Sequence, residues 1–205
     1  MIIPTKATCV PGDFVLKDGT ILSKDETPDG TVAAVIVRAA ANGKPALGVG
    51  IVHNKMAWCT KSATGYSTNI TSLQGNKTSD YMDGSDGWEK LKEACSDAES
   101  NPENYPAWNY SLTYAESNGL TGDLATGWYL PTVAELYTIY QNKTVVDASL
   151  SKVGGSTFGT SWYWSCCQDP SSSNYARVLD FYDGYMDNYN NYSNNFYVCS
   201  VRAFN

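Results

Sequence analysis

The chain has 205 residues, a formal net charge of −7 and an isoelectric point near 4.6. Apolar residues make up 42% of it and charged residues 17%, which excludes a disordered chain, because disorder requires few apolar residues. An acidic surface disfavours nucleic acid and anionic membranes, since both are bound by Lys and Arg. No apolar run reaches the roughly 18 residues of a membrane-spanning helix, so we expect no membrane insertion.

The first part of the chain predicts short strands joined by turns. Residues 13–22 place Asp18-Gly19 between two apolar stretches, which is typical of a hairpin. Residues 31–38 form a continuous apolar run of strand length and predict a buried strand. Further strands are expected at 48–52 and 57–59.

The cysteines and the single histidine indicate structural roles. His53 follows a predicted strand, and we expect its ring to be hydrogen-bonded within the protein rather than to act as a metal ligand or a base. The cysteine spacings contain no CxxC pair and no zinc pattern, so we expect buried or free thiols with room for one disulfide. Of the adjacent pair, one side chain is expected to face the core and the other solvent, as on a strand. The six cysteines are Cys9, Cys59, Cys95, Cys166, Cys167 and Cys199.

The middle of the chain predicts a helix and then an irregular segment. Residues 86–99 repeat apolar side chains at three- and four-residue steps, and Asp86 with Glu89 is an N-terminal capping pattern. Residues 100–127, rich in proline and glycine, predict a long loop packed by its aromatic side chains. The acidic, glycine-rich residues 80–87 lack the spacing of an EF-hand, so they predict a turn and helix cap rather than a calcium site.

Two more helices are predicted after residue 130. Thr132 and Glu135 have the spacing of a capping box directly after Pro131, and apolar residues follow at helical spacing to Tyr140. A short third helix is expected over 145–153, ended by a Gly-Gly pair.

The C-terminal segment differs in composition from the rest of the chain. From Ser161 onward there are 7 Tyr and 7 Asn but no Lys and no Glu, although the preceding residues contain 11 Lys and 7 Glu. Asp183-Gly184 predicts a hairpin in which Leu179 and Phe181 share the buried face, whereas Val178, Asp180 and Tyr182 share the outward face. Residues 185–196 (YMDNYNNYSNNF) predict an exposed loop or edge strand, since Asn is a weak helix former. Large apolar residues that are expected to lie in the core occur at intervals along the segment: Trp162, Trp164, Val178, Leu179, Phe181, Val198, Val201 and Phe204.

Five short motifs follow one another in the second half of the chain: Trp128-Tyr129-Leu130-Pro131-Thr132, Glu135-Leu136, Tyr163-Trp164-Ser165, Tyr175-Ala176-(x)4-Phe181-(x)2-Gly184 and Val201-Arg202-Ala203-Phe204. Together they resemble proteins with the C-type lectin fold of the formylglycine-generating-enzyme-like branch. More narrowly, they resemble the variable proteins of diversity-generating retroelements. The motif match covers about residues 127–205, and residues 1–126 match only in general character.

The resemblance implies one α+β domain over residues 1–205, with a C-type lectin-like fold of two main helices packed on twisted antiparallel sheets. Residues 1–126 would supply the N-terminal strands, helix and insert, and about 161–199 the variable segment. In that family a reverse transcriptase copies a template and mutates its adenines. An Asn codon can then become many codons but never one for Lys, Glu, Gln, Met or Trp, which agrees with the Lys- and Glu-free segment. On this basis Trp162, Trp164, Gln168 and Met186 are invariant positions.

The resemblance also implies the sites of ligand contact. We expect diversified, ligand-binding side chains between the scaffold residues, where Tyr supplies contact area and Asn, Ser and Asp supply hydrogen bonds. Arg177 could pair with a carboxylate. Cys199 stands where relatives are expected to carry Arg. The expected sites are Cys166, Cys167, Asp169, Tyr175, Arg177, Asp180, Tyr182, Tyr185, Asp187, Tyr189, Asn191, Tyr192, Asn194 and Phe196.

The expected function is therefore that of a non-catalytic receptor- or adhesin-type module that binds a protein or glycan, without cofactor or metal, as a monomer or small homo-oligomer. We expect a location at the cell surface, outside the cell or on a phage virion, although the first residues lack a signal-peptide pattern. Two alternatives remain open. An oxidase like the formylglycine-generating enzymes would use Cys166 and Cys167, and a calcium-dependent lectin would need Glu-Pro-Asn and Trp-Asn-Asp motifs that the chain lacks.

Overall fold

Two β-sheets organise the chain in the computed structural model, which describes residues 9–78 and 81–204. A six-stranded sheet has the order β2-β1-β3-β4-β11-β6, and a five-stranded sheet has the order β5-β10-β7-β8-β9. The protein is therefore of the α+β class. The strands are β1 (Phe14–Leu16), β2 (Ile21–Leu22), β3 (Val32–Arg38), β4 (Ala46–Gly50), β5 (Asn54–Met56), β6 (Trp128–Tyr129), β7 (Trp162–Gln168), β8 (Tyr175–Asp180), β9 (Met186–Asn190), β10 (Phe196–Val198) and β11 (Val201–Phe204). The helices are α1 (Gly87–Ala94), α2 (Pro106–Leu112), α3 (Tyr114–Ser117), α4 (Val133–Gln141) and α5 (Lys143–Lys152).

The six-stranded sheet joins the two ends of the chain. The predicted Asp-Gly hairpin is confirmed, with β1 paired to β2 and Val15 opposite Ile21. β3 is buried along almost its whole length, because side chains cover both of its faces. The last strand, β11, lies between β4 and β6, so the C-terminus closes a sheet that the N-terminal strands begin.

Helix α4 packs against β3 of one sheet and against β7 and β8 of the other. The predicted capping box at its start is confirmed. The Glu135 amide donates to Thr132 Oγ1 at 3.1 Å, and the Thr132 amide donates to Glu135 Oε2 at 2.8 Å. The Glu135 carboxylate also accepts from the Gly84 amide and the Tyr129 hydroxyl, which ties α4 to the segment before α1 and to β6.

The predicted loop over 100–127 was wrong, because this segment contains α2 and α3. Pro106 occupies the first turn of α2, where its missing N–H costs no hydrogen bond. The aromatic side chains that were expected to pack do so, since Tyr105, Trp108 and Tyr114 are buried. The predicted first helix ends early, at Ala94, because Cys95 is buried with an extended backbone.

Smaller differences concern strand positions. The strand expected at 57–59 lies instead at Asn54–Met56, and the third helix begins at Lys143. β9 is the edge strand expected within 185–196. Val178 shares a face with Asp180 as predicted, since the two lie opposite Trp164 and Trp162, but the prediction that Val178 is open to solvent was wrong, because it is fully buried.

The predictions for the histidine and the thiols are largely confirmed. His53 is buried, with its ring nitrogens 2.8 Å from the Tyr163 hydroxyl and 3.1 Å from the Gly50 carbonyl oxygen. Burial lowers its pKa to about 3, so the ring is neutral at physiological pH. All six cysteines are buried thiols. The expectation that one of the adjacent pair faces solvent was wrong, because a bulge between Trp164 and Gln168 breaks the strand alternation.

Within the described ranges, the helices are all too short or too polar to cross a lipid bilayer.

Candidate functional site

The five-stranded sheet has one face on the core, and its other face is partly covered and partly open to solvent. On the core side, Tyr163 of β7 lies opposite Leu179 of β8, and both are fully buried. Alternation along the strands places a second set of side chains on the other side, and these are partly exposed. We call this set the outer face: Trp162, Asp180, Asp187, Tyr189 and Phe196.

Three aromatic rings of the outer face contact one another. Tyr189 lies 5.5 Å from Trp162 and 4.9 Å from Phe196 between ring centroids, and Trp162 lies 6.2 Å from Phe196. Trp164 lies beneath them, fully buried, 5.1 Å from Phe196, with its indole N–H donating to the Met56 carbonyl oxygen at 3.0 Å. The rings therefore rest on a packed support that holds them in place.

A surface cleft of about 210 Å³ lies beside the aromatic rings. Its polar groups come from three separate parts of the chain, and the Lys55 ammonium lies 4.7 Å from the centre of the Tyr197 ring. The cleft thus combines a flat apolar surface with hydrogen-bonding groups at its margins. It is lined by Lys55, Ser161, Trp162, Asn195, Phe196 and Tyr197.

The turn between β8 and β9 presents two tyrosines at one end of the sheet. Tyr182 is 73% exposed and Tyr185 is 57% exposed. Lys77 donates to the carbonyl oxygen of Gly184 at 2.8 Å, and Lys143 donates to that of Phe181 at the same distance. The turn is therefore anchored from two other parts of the chain while its tyrosine side chains remain in solvent.

Gly184→Ala is expected to destabilise this turn by about 1–3 kcal/mol. Gly184 has a φ of +74°, and an added Cβ would lie 2.5 Å from the Tyr140 ring. Gly159→Ala is the matched control, because Gly159 also has a positive φ (+56°) but open space around it. Chemical denaturation should show the larger loss for Gly184→Ala; equal losses would mean that the contact with Tyr140 contributes nothing.

The structure distributes the predicted contact residues among three environments. Tyr175, Tyr182 and Tyr185 are exposed. Seven others are partly exposed: Arg177, Asp180, Asp187, Tyr189, Tyr192, Asn194 and Phe196. Four are buried and do not belong to a contact surface: Cys166, Cys167, Asp169 and Asn191.

Each of the four buried residues has a structural role that composition could not reveal. The amide of Cys166 donates to the Pro131 carbonyl oxygen, and its thiol lies 3.6 Å from the Tyr81 hydroxyl. Cys167 follows in the same bulge. The Asp169 carboxylate accepts hydrogen bonds from Ser171 within a tight turn. The carbonyl oxygen of Asn191 accepts the Cys59 amide, which joins the C-terminal segment to the N-terminal half.

The sequence interpretation missed several residues of the cleft. Trp162 was assigned to the scaffold, although alternation with Trp164 already placed both on one face of β7. Lys55 lies in another part of the chain, and no local pattern connects it with the C-terminal segment. Ser161, Asn195 and Tyr197 carry no motif of their own.

Metal ligation has no support in the described part of the chain. In residues 9–78 and 81–204, no group of three or more His, Cys, Asp or Glu side chains is placed to hold a metal ion. Of the acidic segment 80–87, Asp80 lies outside the described residues, and the Asp83 carboxylate accepts the Ser85 amide.

Comparison with known proteins shows a likeness of fold. No family model matches the chain, and no curated protein is similar in sequence. Among solved structures, a fimbrial protein from Bacteroides ovatus ATCC 8483 is similar, with a TM-score of 0.69 and 15% identity. The match covers 96% of this chain and 49% of that protein, so the chain spans about half its length. At this identity the similarity concerns the fold alone.

Proposed function

We propose that the protein is a non-catalytic, adhesin-type binding module with a C-type lectin-like fold that binds its ligand on the outer face and the adjoining β8–β9 turn. The observation that carries this proposal is the cluster of Trp162, Tyr189 and Phe196, held partly exposed on a buried support. Aromatic side chains that remain at a surface and cannot rearrange are typical anchors of binding interfaces.

The physical basis is the low entropy cost of rigid aromatic contacts. Tyr and Trp bury large areas on binding while losing freedom about only two side-chain torsions. Asp180 and Asp187 border the cluster and supply hydrogen-bond acceptors. The exposed Tyr182 and Tyr185 extend the surface at the turn.

We also propose a location at the cell surface or outside the cell. The resemblance in fold to a protein described as fimbrial supports this location.

The diversification of this surface by a retroelement is part of the proposal. The absence of Lys and Glu from Ser161 onward supports it, as does the burial of two residues that cannot arise from mutated Asn codons. Trp164 is fully buried, and Gln168 donates to the carbonyl oxygens of Thr68 and Ser173. The test is genomic: a near-copy of the 3′ end of the gene should lie beside a reverse-transcriptase gene and differ at adenines. Identical C-terminal segments in sibling genes would contradict it.

Binding to intact cells tests the proposed function directly. The fluorescently labelled chain is added to bacterial and epithelial cells, and the bound fraction is measured by flow cytometry. Tyr189→Ala is expected to lower the apparent affinity about tenfold, as for a central aromatic anchor. The matched control is Val10→Ala, since Val10 is 43% exposed, precedes β1 and is not part of the five-stranded sheet. Unchanged binding by Tyr189→Ala would refute the proposal.

The structure does not favour the oxidase alternative. It needs thiols that a substrate can reach, and Cys166 and Cys167 are both fully buried.

A further inference from the structure

We propose that the cleft beside Trp162 binds one neutral hexopyranose residue of a glycan; this inference rests on the proposed function and names its ligand class. The cleft holds about 210 Å³ and lies where β7 and β10 begin, with Trp162 and Phe196 on the side of the aromatic cluster and Lys55 and Tyr197 on the other side of the sheet. It is lined by both aromatic and polar residues, and a sugar ring presents both apolar and polar surface.

The aromatic wall matches the apolar face of a pyranose. The face of an indole carries negative charge density, and the axial C–H groups of a sugar carry partial positive charge. Trp162 is partly exposed at the cleft, and Phe196 forms a second wall at a centroid distance of 6.2 Å with an interplanar angle of 35°. A ring stacked on Trp162 would meet Phe196 at its edge.

The polar groups match the hydroxyls around the equator of the sugar. Lys55 offers up to three donors, and its ammonium is already placed by the Tyr197 ring. Ser161 and the exposed Asn195 each offer both a donor and an acceptor. Sugar hydroxyls need both, because each one donates and accepts.

The charges near the cleft and the strand pairing of β10 favour a neutral sugar over an acidic sugar or a peptide. Asp180 lies directly opposite Trp162 in the strand register and the chain carries a net charge of −7; both oppose the attraction that Lys55, the charged residue of the lining, exerts on acidic sugars. A peptide could gain affinity by adding a strand, yet β10, which supplies Phe196 and Tyr197, is already flanked by β5 and β7. The cleft therefore offers stacking and hydroxyl recognition but no main-chain pairing along β10.

Under the proposed diversification, the two aromatic walls of the cleft differ in whether they can change between sibling proteins. Trp162 cannot arise from a mutated Asn codon, whereas Phe196 can. Under the proposed diversification, the stacking surface for the sugar stays the same while its second wall changes between siblings.

Saturation-transfer NMR on the full chain tests the inference, with the methyl glycosides of glucose, galactose, mannose and N-acetylglucosamine as probes. We expect transfer to the ring C–H protons of at least one glycoside, with weak binding in the millimolar range. Trp162→Ala should weaken it about tenfold or more, and Lys55→Met should weaken it severalfold. Val10→Ala should leave it unchanged, and circular dichroism verifies that each variant is folded.

The outcomes separate the two proposals. Absence of transfer from all of these glycosides, equal transfer in Trp162→Ala, or stronger binding of methyl glucuronide would overturn the inference. So would cell binding that Tyr189→Ala removes but that survives periodate oxidation of the cell-surface glycans, a result that leaves the proposed function standing. Cell binding that periodate removes together with Trp162→Ala supports both. Cell binding that Tyr189→Ala and Trp162→Ala both retain refutes the proposed function itself.

Discussion

Replacing Trp164 with alanine is expected to lower the free energy of unfolding by about 3–5 kcal/mol, because it opens a large cavity in a packed core. Trp164 is fully buried below Phe196, and its indole N–H donates to the Met56 carbonyl oxygen. The substitution removes this hydrogen bond together with the support of the outer face. Urea denaturation followed by circular dichroism measures the loss.

Trp162→Ala is the matched control, since Trp162 lies two residues away on the same strand and the same face but remains partly exposed. We expect it to cost about 1–2 kcal/mol in stability, because truncating a partly exposed side chain leaves no enclosed cavity. The comparison of the two variants thus distinguishes Trp164, which supports the outer face from below, from Trp162, which forms part of it. Similar losses for the two variants would mean that the outer face is part of the core.

Glu135→Gln is expected to change how stability depends on pH. Burial raises the pKa of Glu135 from 4.5 to about 7, despite hydrogen bonds from the Thr132 and Gly84 amides and the Tyr129 hydroxyl. A carboxyl group with a raised pKa contributes its full stability below about pH 4.5. That contribution is lost as the pH rises through about 7, because the unfolded chain ionises more easily. The loss amounts to roughly 3 kcal/mol.

Glutamine preserves the geometry while removing the titration. Its amide oxygen can accept from the Thr132 and Gly84 amides, and its NH₂ group can donate to the Tyr129 hydroxyl, which then acts as the acceptor. His53 titrates with the opposite sign, since its lowered pKa adds stability as the pH rises from about 3 to 6.5. The useful quantity is therefore the difference between variant and wild type. It should shift in favour of the variant by about 3 kcal/mol between pH 4.5 and 7.5.

Urea denaturation at several pH values measures that difference. His53 is common to both proteins, so its contribution cancels. Two parallel curves would show that Glu135 has the same proton affinity in the folded and the unfolded chain.

Local patterns predicted the local elements of this protein. The capping box of Thr132 and Glu135 and the Asp-Gly turns depend on residues a few positions apart, whose interactions form wherever the segment lies. The proline- and glycine-rich segment 100–127 was misjudged because tertiary packing overrode its composition. Tyr105, Trp108 and Tyr114 are buried in the folded chain, and helices satisfy the backbone around them.

The sequence indicated which segment forms the outer face but not which of its side chains lie there. Composition marked residues 161–199 as unusual, yet composition carries no information on which side of a strand a residue lies. The bulge in β7 turned Cys166 and Cys167 into the interior, and pairing with the Cys59 amide fixed the backbone at the buried Asn191. Register and bulges set these directions, and both depend on the neighbouring strands.

The sequence by itself determined the first hairpin, the capping of α4 and the position of the unusual C-terminal segment, because these depend on residues close together along the chain. Only the tertiary structure decided that β5 brings Lys55 beside Tyr197 and that Tyr189 and Phe196 meet Trp162. These contacts join parts of the chain that are distant in sequence, and the pairing order of the five-stranded sheet places them together.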